Sequence, residues 1–213
     1  MGRRCRLWFA IAGIALLGFA SPNATAQTAD QGKLLIAGPL PERSLGDPQA
    51  PVTIIEYASL TCHHCANFHT GTWPSFRRKY VDTGKVRFII REFPLDALAM
   101  AAVMLTRCVS DDQWYTLLDR LFQTQDVWSH SKDPATALAQ TAREADMTRE
   151  QFNTCLLNKW LYADIMSVAK RASDEFGVAS TPTFFVNGQK HTGALTLEQF
   201  DKILEPMLAE SAR

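Results

Sequence analysis

Cys62-His63-His64-Cys65 is the segment with the most chemical promise. It follows a mostly apolar, β-branched run at 52–58 and opens a stretch with helical spacing. In the first turn of a helix, residues three apart share a face, so these two sulfurs can bond to each other. The first cysteine would sit where unpaired backbone N–H groups favour negative charge, which makes Cys62 the more acidic thiol and the nucleophile. Cys65, a turn deeper, would resolve a mixed disulfide. His63 and His64 would tune the pair, since an imidazolium or a donating imidazole stabilises a nearby thiolate. No cofactor is needed, because the bonded Cys62–Cys65 pair is itself the redox group.

Other residues bear on the same chemistry. Thr181-Pro182 leads into an apolar run at 183–186. A proline entering a strand removes a ladder donor. Either it ends an ordinary turn, or a cis Thr181–Pro182 bond brings the Thr181 backbone beside the cysteines, free to pair with an extended substrate. Glu56, six residues before Cys62, either faces solvent at a strand end or moves the proton of Cys65. Cys108 and Cys155 fall on separate predicted helices. If Cys62 pairs with Cys65, these two remain, and a structural disulfide between them is expected. A metal reading would join Cys62, Cys65 and His69 on one helical face, but a structural zinc needs a fourth ligand and no second short-spaced pair exists. No metal is therefore assigned, and a zinc-binding or redox-inert module is the non-enzymatic alternative. Trp114, Trp128, Trp160 and Phe152 read as core of a helical block, and Arg91-Glu92 as a strand-end ion pair without chemistry.

The elements that would hold these residues are legible from pattern. The chain has 213 residues, 46% of them hydrophobic, enough for one core with an elaboration. Formal net charge is zero and no long charge run occurs, which gives no footprint for nucleic acid. Residues 1–26 read as a secretory signal: Arg3, Arg4 and Arg6, then an uncharged apolar run at 7–20, Pro22, and the small-x-small Ala24-Thr25-Ala26. The run is too short to span a bilayer, for which about 20 residues are needed. Cleavage near Ala26 would remove Cys5 and leave 19 basic and 22 acidic residues. Residues 27–50 read as an extended segment with a short strand at 34–37. Strands follow at 52–58 and 86–93, with a helix from about 62 to 80 between them that Pro74 should kink. Residues 95–177 have helical spacing, with N-caps at Asp133 and Thr148 and a stop at Gly177. A strand at 183–186, the turn Asn187-Gly188, a return strand and a last helix complete the order. The expectation is an α/β fold: one unit from 51–94 and 178–213, with 95–177 inserted as a helical domain.

Taken in order, Glu56-x5-Cys62-His-His-Cys65, Arg91-Glu92-Phe93-Pro94-Leu95, the helical insertion, and Gly177-Val178-x3-Pro182-Thr183-Phe184-Phe185-Val186-Asn187-Gly188 resemble the DsbA-like thioredoxin family. The likeness covers roughly residues 44–208. It implies a thioredoxin fold and a periplasmic enzyme that oxidises cysteine pairs in newly exported chains. It also implies a cis proline at Pro182, Glu56 as a buried acid, and a DsbB-type membrane partner linked to quinone that reoxidises Cys62–Cys65; no separate dimerisation domain is seen in the sequence, so a monomer is expected. His64 matches the best-known members; His63 stands where they have Pro, and Thr181 where they have Val. Thr there is shared with isomerases and reductases of the superfamily, which makes these the alternative activity.

Overall fold

The computed structural model describes Met1 and residues 28–211. The signal reading, with Cys5 and Ala24-Thr25-Ala26, lies outside the described residues. One five-stranded sheet runs in the order β1-β3-β2-β4-β5, formed by β1 (Ser44–Leu45), β2 (Val52–Ala58), β3 (Val86–Glu92), β4 (Thr183–Val186) and β5 (Gln189–Thr192). β2 and β3 are parallel, with Ile54 opposite Phe88; every other pairing is antiparallel.

Side chains alternate across a strand, so β2 divides its residues between two layers. Val52, Ile54 and Ala58 join Phe88, Ile90, Phe184 and Val186 on one face. Ile55 and Tyr57 join Ile89 and Phe185 on the other. Glu56 has the parity of the first face and stands among apolar neighbours there. Burial on both faces explains why the β2 sequence is apolar nearly throughout.

The first face is covered by a helical run from His63 to Val81 and by α10 (Leu197–Ser211). The run is composite: α2 (His63–Asn67), a π-helical turn (Phe68–Thr72), α3 (Trp73–Phe76), and a second π-helical turn (Arg77–Val81). Pro74 explains the first change. It has no N–H for the preceding turn, and the Trp73 N–H reaches back to Phe68 O, a five-residue step. The other face is covered by α1 (Gln31–Leu35) and α9 (Lys159–Phe176), through Leu34, Val168, Ala172 and Phe176.

Between β3 and β4 lie α4 (Ala97–Arg107), α5 (Asp111–Gln123), α6 (Gln125–Ser129), α7 (Pro134–Glu144), α8 (Arg149–Leu156) and α9. Their starts are written in the sequence. Asp96, Asp133 and Asn158 each accept a backbone N–H of the first turn, and Thr148 with Gln151 forms a capping box. Gly177 ends α9 in the left-handed region, at φ 61°. Asn187 and Gly188, at φ 44° and 87°, make the tight turn from β4 to β5.

Three expectations are corrected. Residues 34–37 do not form a strand: Asp30 caps Gly32 and Lys33 and starts the short helix α1, whose Leu34 is buried. Trp160 is not core, being 84% exposed, whereas Trp114, Trp128 and Phe152 are buried. The buried stripe of α9 contains Ile165, Val168, Ala172 and Phe176, and the residue that extends it backwards at helical spacing is Leu161. Arg91 and Glu92 do not pair with each other. They point to opposite faces, Arg91 to Glu42 and Tyr57, and Glu92 to Arg107.

Candidate active site

Cys62 is the N-cap of α2, with extended backbone at φ −77° and ψ 115°. Its sulfur accepts the Cys65 N–H at 3.4 Å, so the reactive atom itself satisfies one of the helix's unpaired donors. As a thiol it donates to the Thr181 carbonyl oxygen at 3.2 Å, across 119 residues of chain. Thr181–Pro182 is a cis peptide bond. The structure therefore brings Cys62, Cys65, Thr181 and Pro182 together. Cys62 and Cys65 are free thiols here.

The two sulfurs differ in acidity because their surroundings differ. The Cys62 thiol is lowered to about 5. The largest cause is the Cys65 S–H, which donates to the Cys62 anion; burial opposes it, and the Thr181 side chain and the backbone N–H groups of Cys65 and His64 add to it. The Thr181 Oγ1 is buried and without another partner, which leaves it to donate to a Cys62 thiolate. The Cys65 thiol is pushed well up, first by burial, then by its bond to Cys62 and by the charge of Glu56. One sulfur is built to be an anion, the other to hold a proton.

His63 and His64 are exposed, and their rings are not among the principal causes of the Cys62 shift. It is the His64 backbone, not its imidazole, that contributes. Glu56 does not face solvent: it is fully buried, and its Oε2 lies 2.9 Å from His69 Nε2. His69 is thus directed to a carboxylate, not into a metal cage with the cysteines. Among the described residues no group of three or more His, Cys, Asp or Glu is disposed to hold a metal ion.

Cys108 and Cys155 are bonded to each other, with Cα atoms 6.0 Å apart and 47 residues of separation. They tie the end of α4 to α8. A residue that pattern reading passed over is Gln125, at the start of α6. It is buried, and its Nε2 donates to Leu60 O at 2.7 Å and Cys62 O at 3.0 Å. A lone glutamine in a helical stretch carries no sequence signal for this role.

A parallel-paired central strand, a helix opening on Cys-x-x-Cys and a cis proline against the first sulfur define the thioredoxin class of dithiol proteins. The family model described as Thioredoxin matches residues 40–206. The structure of alpha-DsbA1 from Wolbachia pipientis superposes with a TM-score of 0.78 at 31% identity, covering 86% of this chain and 98% of that one. This chain belongs to the DsbA-like thioredoxin family. A candidate protein-disulfide oxidoreductase of Rickettsia conorii is 29% identical over 167 residues, covering 78% of this chain. The chain spans about 60% of the length of this relative and of two further Rickettsia proteins of the same description. A protein-disulfide isomerase from Novosphingobium aromaticivorans, at 23% identity and TM-score 0.68, shares the fold.

Proposed function

We propose that the protein is a thiol–disulfide oxidoreductase that works as a dithiol oxidase through Cys62 and Cys65. The observation that carries this is the opposed acidity of the two sulfurs: a thiolate at Cys62 with a value of about 5, and a Cys65 that keeps its proton. An anion comfortable at neutral pH is a good leaving group and stabilises the reduced form, so the disulfide is oxidising.

In the reaction, a substrate thiolate attacks Cys62 of the Cys62–Cys65 disulfide. A bond forms between the substrate sulfur and Cys62; Cys65 leaves with the electron pair and takes up a proton, with Glu56 as the acid nearby. A second substrate thiolate attacks the substrate sulfur of the mixed disulfide, and Cys62 leaves as a thiolate. The substrate is oxidised by two electrons and the enzyme reduced by two. The Thr181 backbone next to cis-Pro182 would pair with the extended substrate as this happens.

The partners proposed are cysteine-bearing proteins newly exported to the periplasm, and a DsbB-like, quinone-linked membrane protein that restores the disulfide. The signal reading of residues 1–26 supports this location, as does a structural disulfide at 108–155. No helix among the described residues is long and apolar enough to cross a membrane. We assign the exchange chemistry to 51–94 and 178–213 and treat 95–177 as a helical domain that shapes the site, in a monomer with no added cofactor.

The test is the Cys62–Cys65 reduction potential against glutathione, together with disulfide formation in a reduced, unfolded client. An oxidase gives a potential well above that of thioredoxin, about −270 mV, and stoichiometric transfer to the client. A potential near the thioredoxin value makes the protein a reductase.

A further inference from the structure

His69 takes no part in the exchange set out above, yet it is a titratable ring only 1% exposed. It lies four residues beyond Cys65, on the same side of the helical run. The ring is clamped: it stacks on Phe122 of α5 at 4.2 Å with planes 7° apart, and meets Phe68 edge-on at 5.1 Å. Held this way, Nε2 is fixed against Glu56 Oε2 at 2.9 Å. That bond survives either proton position. A carboxylate accepts from Nε2–H, and a carboxylic acid donates to the bare Nε2.

Two atoms of the pair are left over. Glu56 Oε1 and His69 Nδ1 are both buried and have no hydrogen-bond partner. Buried polar atoms left unmet destabilise a fold, so a purely structural pair is a poor use of the site. Oε2 is taken by His69, so Oε1 is the Glu56 oxygen left free, and Cys65 feels the Glu56 charge. On its other side His69, itself buried, forms part of the wall of an open recess of about 530 Å³, with Asp119 and Tyr115 of α5 and Arg77 of the helical run. Neither Cys62, Cys65 nor Thr181 lines it.

We propose that His69 positions Glu56 and relays the proton of Cys65 to this recess, on to Asp119, apart from the surface where Cys62 and Thr181 meet a substrate. The proposal rests on the exchange reaction at Cys62–Cys65. When Cys65 leaves as a thiolate, Glu56 gives it a proton. His69 returns one to Glu56 through Nε2 and is resupplied from the recess at Nδ1. Reoxidation runs the sequence backwards.

The charges around His69 suit the task. Glu56 faces it from β2 and Cys65 precedes it by one turn. From α5, the half-buried Asp119 is raised by burial, and His69 is the largest influence opposing that rise. Arg77 would oppose an imidazolium, but it is engaged by Asp82 at 3.1 Å. Tyr115 is raised by burial and stays a neutral phenol. Arg78 also lines the recess, as a further exposed cation.

The test is single-turnover reduction of the Cys62–Cys65 disulfide by a dithiol peptide, acid-quenched and followed across pH. An inert wild type would be a failure of the exchange reading itself, seen before any variant is made. With an active wild type, His69→Gln, which keeps a donor to Glu56 but carries no proton, should slow release of Cys65 by about tenfold and flatten its pH dependence. Asp119→Asn should shift the same profile by less, in the same direction. A His69→Gln profile that follows the wild type, while Glu56→Gln alters it, would overturn the relay. A second measurement needs no variant. Imidazole nitrogen NMR of the wild type should show His69 changing protonation or tautomer between the oxidised and reduced states; one unchanged state in both would also overturn it.

Discussion

At the scale of single residues, the site is a contrast between two sulfurs three positions apart. Cys62 sits where a helix begins, takes an N–H on its sulfur and accepts from Cys65; Cys65 is buried beneath it and feels the charge of Glu56. This contrast fixes the pH dependence. Cys62 is lowered relative to an unfolded thiol near 8.5. Its stabilisation of the reduced form is therefore complete above about 8.5 and is lost as pH falls through about 5. Between about 5 and the raised titration of Cys65, reduction takes up two electrons and one proton, so the potential should fall by about 30 mV per pH unit. Below that range two protons are taken up and the slope should steepen to about 59 mV. Thiolate absorbance and potentials against glutathione at several pH values check both statements. Thr181→Val removes a donor from the thiolate. It should raise the Cys62 titration by about one unit and make the disulfide less oxidising, since a hydrogen bond to a charged group is worth about 1.5–3 kcal/mol.

At the scale of elements, the position of Cys62 depends on a contact between layers. Gln125 of α6 holds the carbonyls of Leu60 and Cys62 and so fixes the strand-to-helix corner from outside the sheet. Gln125→Ala leaves both oxygens buried without that donor and should cost about 1–3 kcal/mol in denaturant unfolding, with a rise in the Cys62 titration as the corner loosens. This dependence is invisible in the sequence, because a lone glutamine about midway between Cys65 and Thr181 has no period or partner to mark it. What was legible had a local cause. The caps at Asp96, Asp133, Thr148 and Asn158, the stop at Gly177 and the turn at Asn187-Gly188 each follow from a side chain acting on its own backbone. Trp160 was misplaced because size suggested burial, and only the phase of the α9 stripe shows that it faces out. Glu56 could be placed on a strand but not on a face, since its solvent or core orientation is decided by what packs against β2.

At the scale of the whole molecule, the helical segment is stapled independently of the redox pair. Cys108–Cys155 closes a loop of 47 residues between α4 and α8, for which chain entropy gives about 4 kcal/mol. The double variant Cys108→Ala/Cys155→Ala should lose stability of that order in chemical unfolding and keep the Cys62 titration, because neither residue is among the causes that set it. Two layers on one sheet, with a stapled helical block between the third and fourth strands, also explain how β2 can be buried on both faces, while the helix that follows it opens on Cys62, which keeps 9% of its surface exposed where the deeper Cys65 keeps none.

The link from Cys62 to the Thr181 carbonyl spans 119 residues. During synthesis the first sulfur leaves the ribosome long before the segment that completes its surroundings exists. A nascent chain ending short of residue 181 therefore carries Cys62 with Cys65 beside it but without the Thr181 hydrogen bonds. The full stabilisation of the thiolate is reached only when β4 folds back against β2 and sets Thr181 on the sulfur.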